Sequence, residues 1–303
     1  MSTSPPPGSA RPTGAAPTGS LIRVDDAGPG AAQVLLLPGT AGRAEELDGL
    51  ARRLAERYTV LRLELPGTGR SEDEAAAVAR LDVAGTATAV AGRLHAAGAR
   101  PAVIVGHSAG GIVAVEVARA LDRLSAAEGA AAGAPRGTDA DGARSAVRGL
   151  VLLDTNLPTD PAACRAKQQR AAALARLPDA DLREDFTASM HRSWGGRDVD
   201  GPAYRLVMAG VDAAGPRVIR EFWLSVLALD SVAFWQALDL PVVYVHSDRP
   251  IDPAALARLT GLARYVEAGD RAAGHWLHLV EPSLTGDLVE EAVAELLVGG
   301  SAV

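Results

Sequence analysis

Cysteine, lysine and long apolar runs are what this chain lacks. Cys164 is the only cysteine among 303 residues, which rules out an intrachain disulfide. It also rules out a thiolate zinc cage or an iron–sulfur cluster built from this chain alone. A single thiol fits a reducing cytosol, and a cytoplasmic location is the expectation. Nowhere do eighteen apolar residues run together, so no membrane span is expected. Residues 1–20 are rich in Pro, Gly, Ser and Thr. They have neither the basic start nor the apolar stretch of a secretory signal, and they read as a disordered tail. The formal net charge is −7, leaving no basic excess to neutralise phosphates, so nucleic acid is excluded as a partner. Lys167 is the only lysine among 30 basic residues. That bias reads as the codon usage of a GC-rich genome and carries no functional weight at this level.

What is present is a hydrophobic content of 48%, enough for one substantial core and a single domain over 21–303. Short apolar runs at 21–24, 34–37, 60–65, 102–105, 150–153, 242–245 and 263–267 end in Gly, Pro, Asp or His signals. They alternate with segments of helical period at 45–57, 83–97, 112–124 and 284–297. This alternation predicts the α/β class, with a mostly parallel sheet covered by helices on both faces. Two stretches break it. Residues 125–146 are rich in Ala and Gly and read as a flexible insertion. Residues 156–238 hold Trp194, Trp223, Phe222, Phe234 and Trp235; they are too long for a connection and too aromatic for a linker, and they read as a helical cap.

Chemistry concentrates at Gly106-His107-Ser108-Ala109-Gly110, between a predicted strand and a predicted helix. Small residues on either side let a tight turn lift the Ser108 hydroxyl above the sheet, and the helix N-terminus favours negative charge beside it. The stretch from Val103 to Leu121 around this turn resembles the nucleophile region of the α/β-hydrolase superfamily, and the resemblance runs from Leu35 onward. Leu37-Pro38-Gly39-Thr40 resembles the family's oxyanion loop with Pro38 in place of His. Glu64-Leu65-Pro66-Gly67-Thr68-Gly69-Arg70-Ser71 resembles its Asp-x-Pro-Gly-x-Gly-x-Ser segment. The matching oxyanion donors are the backbone N–H groups of Thr40 and Ala109.

Gly274-His275 with Glu281 and Pro282 resembles the family's base region, which makes His275 the base and leaves His278 as the alternative. His246 reads as a structural strand-end residue, and His95 and His191 as surface residues. For the acid, the usual position after the strand at 242–245 reads His246-Ser247-Asp248-Arg249-Pro250, and the expected aspartate is missing. A second position, used by thioesterase domains, some lactonases and dehalogenases, matches Leu153-Asp154-Thr155. Asp154 is therefore the chosen acid and Asp248 the alternative, the competing reading being that one of the two merely caps a helix or turn.

The resemblance implies a serine hydrolase that cleaves an ester, lactone or thioester through an acyl-enzyme, without a cofactor or metal. Gly39, His107, Trp194, Trp223, Trp235, Trp276 and His278 are the candidate substrate contacts, and the aromatics point to a small-molecule substrate with a sizeable apolar part. The alternatives are a thioesterase, cyclase or acyltransferase of secondary metabolism, and a ligand-binding protein without activity on the same scaffold. Oligomeric state is not legible from the sequence.

Overall fold

The computed structural model of the chain describes residues 21–23, 28, 30–131, 146–195, 198–247, 251–268 and 274–299. Its strands are β1 (Leu21–Arg23), β2 (Gln33–Leu37), β3 (Thr59–Leu63), β4 (Val103–His107), β5 (Gly149–Leu153), β6 (Val242–His246) and β7 (Ala263–Glu267). They form one sheet in the order β1-β3-β2-β4-β5-β6-β7. β1 pairs antiparallel with β3, and every other pairing is parallel. In the centre, β4, β5 and β6 are buried at every position, as apolar runs without alternation require when both faces are covered. β7, at the edge, is half-exposed.

The helices are α1 (Asp48–Leu54), α2 (Val83–Ala96), α3 (Ala109–Ala131), α4 (Pro161–Leu174), α5 (Asp179–Trp194), α6 (Pro202–Ala213), α7 (Leu224–Ala228), α8 (Ser231–Gln236), α9 (Pro253–Leu259), α10 (Leu277–Val280) and α11 (Pro282–Gly299). The strand period of two sorts the sheet's side chains between two cores. Leu35, Leu37, Ile104, Leu150 and Leu152 share one core with Val90 and Leu94 of α2 and Ile112 and Val113 of α3. Val34, Leu36, Val105, Val151 and Val245 share the other with Leu50 and Leu54 of α1 and Val289 and Val293 of α11. Each such Val or Leu contributes about 1.5–3 kcal/mol of transfer free energy, which makes the central strands a rigid base for the loops at their ends.

Aspartates start several of these helices. Asp82, Asp160, Asp230 and Asp252 accept hydrogen bonds from backbone N–H groups of the first turns of α2, α4, α8 and α9. Asp252 is thus a helix cap. The helix expected at 45–57 is instead a 3-10 turn, Ala44–Leu47, followed by α1. Its start is pinned from two sides: the Arg43 N–H donates to Glu46 Oε1 at 2.9 Å, and the Ala44 N–H donates to Glu64 Oε1 at 3.1 Å. α3 runs on through Ala131, so the first part of the expected insertion is helical, as its alanines favour. Residues 132–145 and the tail 1–20 lie outside the described residues. No helix among the described residues is long and apolar enough to cross a membrane.

Between β5 and β6 the chain forms α4 to α8 and a π-helical turn, Val218–Trp223. Leu182, Phe186, Trp223, Phe234 and Trp235 of this segment belong to the same core as α2 and α3. Polar contacts tie it to the start of α2 and the stretch before it: Glu221 Oε2 accepts from the Leu81 N–H at 2.9 Å, and Ser225 Oγ from the Val83 N–H at 3.1 Å.

Candidate active site

The sheet register brings the candidate residues into one row. His107 pairs with Leu153, and Leu153 pairs with Val245, so the residues that follow these strands emerge side by side at the carboxyl edge. The Ser108 N–H donates to the Leu153 carbonyl and the Asp154 N–H to the Val245 carbonyl, each at 2.8 Å. In open α/β sheets this edge is where loops converge on a ligand.

Ser108 and Asp154 both have left-handed backbone, with φ of 53° and 43°, a conformation that costs a residue with a Cβ about 1–2 kcal/mol. The turn around Ser108 closes only because the residues two before and two after it are glycine. A Cβ on Gly106 would lie 2.3 Å from the Gly110 carbonyl oxygen, and one on Gly110 2.4 Å from that of Pro38. Gly106→Ala is expected to destabilise the fold by about 3 kcal/mol, read as a lowered urea midpoint. An unchanged midpoint would mean that the turn has slack.

His275 stands between the serine and the aspartate. Its Nε2 is 2.9 Å from Ser108 Oγ, and its Nδ1 is 2.6 Å from Asp154 Oδ2. A carboxylate only accepts, so Nδ1 carries the proton and Nε2 is free to take one from the hydroxyl. Asp154 is fully buried. Its Oδ1 accepts from the Ser247 N–H at 3.1 Å and lies 3.8 Å from His246 Nδ1. Burial opposes its charge, but the adjacent His246 imidazole and the hydrogen bonds from His275 and the Ser247 N–H prevail and hold the carboxyl well below the usual carboxylate range.

The loop carrying His275 is fixed at its backbone. Ser247 Oγ donates to the Gly274 carbonyl at 2.7 Å, and His107 Nε2 donates to the His275 carbonyl at 2.8 Å. His107 in turn packs against His278 with the rings tilted and their centroids 4.3 Å apart. Burial, and then the neighbouring histidine rings, keep His107 well below the ordinary histidine range. Burial and His275 push His278 down to about 3. Both rings stay neutral at physiological pH.

Above Ser108 is a cavity of about 110 Å³, lined in part by Gly39, Thr40, His107, His275, Trp223 and Trp276. Trp194, Trp235 and His278 are not among its lining residues. Trp194 packs on Trp276 at 5.7 Å, and Trp235 is fully buried with its indole N–H donating to the Leu157 carbonyl at 3.0 Å. Asp248 lies outside the described residues. The lining also departs from the apolar slot expected of the aromatics, because Glu46, Asn156, Lys167, Arg170, Ser189 and Ser193 contribute to it. Burial raises the Glu46 carboxyl to about 7, against the hydrogen bonds from the Arg43 N–H and the Trp276 side chain. No motif marks Glu46 in the sequence, and His246 and Ser247 stood out only as part of the segment where the usual acid is missing. Lys167 had one visible signal, its rarity. Among the described residues no cluster of His, Cys, Asp or Glu could hold a metal ion.

Glu64 explains its own segment. It is fully buried, and its Oε2 accepts from the Arg70 N–H at 2.6 Å while Oε1 holds Ala44. Gly69, at φ 52°, leaves room for that carboxylate, since a Cβ there would come within 2.4 Å of it. The segment thus braces the loop after β3.

A mostly parallel sheet with helices on both faces and a Ser–His–Asp row at its carboxyl edge is the arrangement of an α/β protein of the hydrolase class. The chain belongs to the Alpha/beta hydrolase family, whose sequence model matches residues 34–287. No curated protein matches the sequence. Solved structures similar to it include an esterase from Thermogutta terrifontis, with 19% identity over 91% of this chain and 93% of that one, at a TM-score of 0.61. An enol-lactonase from Burkholderia xenovorans LB400 is 16% identical over 92% and 96%, at 0.59. A hydrolase from Pseudomonas aeruginosa PA01 is 19% identical over 92% and 94%, at 0.61. At such identities the likeness shows the fold.

Proposed function

We propose that the protein is a serine hydrolase that cleaves a carboxylic ester, lactone or thioester through an acyl-enzyme. The observation that carries this reading is the pair of contacts made by one ring, His275 to Ser108 Oγ at 2.9 Å and to Asp154 Oδ2 at 2.6 Å. In this mechanism Ser108 Oγ attacks the carbonyl carbon while its proton passes to His275 Nε2. His275 then gives that proton to the departing alcohol or thiol as the bond to the acyl carbon breaks. Water, deprotonated by the same nitrogen, attacks the acyl-enzyme, and the proton returns to Ser108 Oγ as the acid is released. Asp154 keeps the ring in the working tautomer and offsets the imidazolium charge. The Thr40 and Ala109 N–H groups are assigned to the oxyanion; Ala109 opens α3, where backbone N–H groups lack intrahelical partners. No step calls for a metal or cofactor. The segment from α4 to α8 acts as a cap, contributing Trp223 and the polar residues of α4 and α5 to the cavity.

The test is covalent labelling. Intact-mass measurement after exposure to a fluorophosphonate should show one adduct on the wild type and none on Ser108→Ala or His275→Ala. An unlabelled wild type, with the fold intact, would reject the hydrolase reading in favour of ligand binding.

A further inference from the structure

The cavity has a cationic side. Lys167 and Arg170 lie three residues apart on α4, hence on one face of that helix, and both line the cavity that holds Ser108. Each is held in place from the protein side. Lys167 Nζ donates to the Asn156 carbonyl at 2.8 Å, and Arg170 pairs with Asp185 Oδ2 at 2.7 Å and reaches Ser189 Oγ at 3.5 Å. Asn156 and Ser189 line the same cavity. Donors ordered in advance lose less on binding a ligand. Of 30 basic residues in the chain, lysine appears once, and it appears here. The choice has a physical sense: an ammonium is a compact point charge with three rotatable donors, whereas a guanidinium is a broad planar fork. Glu46 supplies the acid among the lining residues, and its burial favours the uncharged form below about pH 7.

We propose that this side of the cavity binds a carboxylate on the substrate, so that the protein acts on small carboxylate-bearing esters or lactones, with Lys167 as the specificity-determining residue and Arg170 reinforcing it. The ester half of this statement rests on the hydrolase reading above; the carboxylate site stands apart from it and is testable without turnover.

Binding is measured on full-length Ser108→Ala by quenching of tryptophan fluorescence, since Trp223 and Trp276 line the cavity. Monomethyl glutarate is titrated against methyl pentanoate, which has a methyl group where the first has its carboxylate. The carboxylate probe is expected to bind about tenfold or more tightly, the usual yield of a charge-assisted hydrogen bond. Adding Lys167→Met should bring the two probes together, while Lys167→Arg keeps part of the preference and controls for folding. The same ratio is then read in kcat/KM with the 4-nitrophenyl esters of glutaric and pentanoic acid on the Ser108 protein. Equal binding of both probes, or a preference that survives Lys167→Met, overturns the proposal and leaves Lys167 as a strut on the Asn156 carbonyl. Hydrolysis of both esters without preference would overturn it while sustaining the hydrolase reading. Lys167-dependent binding without hydrolysis of either ester would do the reverse.

Discussion

Asp154→Asn is expected to lower kcat/KM by about 10⁴-fold on any ester the protein turns over, the scale of loss when a triad carboxylate becomes an amide. The substitution keeps the shape of the side chain and an oxygen for the Ser247 N–H at 3.1 Å. It replaces the acceptor of the His275 Nδ1–H with a group that can present its own N–H, which favours the tautomer with the proton on the nitrogen facing Ser108. That nitrogen then has no lone pair for the hydroxyl proton. A second cost comes from charge: Asp154 is fully buried, and without it the imidazolium formed during attack has no counter-charge in a site of low dielectric. Circular dichroism and urea titration establish that the variant is folded. Asp248→Asn, measured beside it, is expected to lose less than tenfold. The opposite ranking would transfer the role of the acid to Asp248.

Glu46→Gln is expected to make stability less dependent on pH, by about 3 kcal/mol between pH 4.5 and 7.5. Glu46 is 3% exposed, and burial raises its carboxyl from the ordinary glutamate value of about 4.5 to about 7. In this window the unfolded chain releases a proton that the folded chain keeps. The folded state therefore binds more protons, and stability falls as pH rises. Its contribution is fully present below about 4.5, the pKa of the unfolded chain, and is lost as pH climbs through about 7. Each pKa unit is worth about 1.4 kcal/mol. Glutamine is neutral throughout and accepts the Arg43 N–H in the same place. The difference between the two urea-unfolding free energies should thus drift in favour of the variant as pH rises, with other titrating groups cancelling. Parallel curves would show that Glu46 ionises in the folded protein at its ordinary pKa, and would place water beside it.

Much of the architecture was legible because strand burial leaves a local trace. Runs such as Val34 to Leu37 and Leu150 to Leu153 are apolar at every position, as a parallel sheet between two helical layers demands. The structure shortens or extends their ends by a residue or two, where tertiary hydrogen bonds rather than side chains set the limit: β4 runs on to His107 because its partner runs to Leu153. The 3-10 start before α1 was not legible, since it depends on a carboxylate eighteen residues beyond Glu46 in the chain, that of Glu64. The aromatics of the segment between β5 and β6 were visible as a group, but their assignment to cavity or core was not. Trp223 and Trp235 look alike in sequence, yet one lines the cavity and the other is sealed against the Leu157 carbonyl.

By itself the sequence determined the fold class and pointed to Ser108 and to His275 over His278, with Asp154 preferred to Asp248 as the acid, because each follows a turn or strand whose local pattern marks it. Only the tertiary structure decided what stands around them. Residues as far apart as Ser108 and His275 meet at 2.9 Å because strand register sums hydrogen bonds along the whole sheet, and no local window contains that sum. The same holds for His246 and Ser247 at Asp154, for His107 beneath the His275 carbonyl, and for Lys167, whose place beside the cavity follows from how α4 packs. A side chain's neighbours across a fold are set by the geometry of elements distant in sequence, which composition and spacing do not encode.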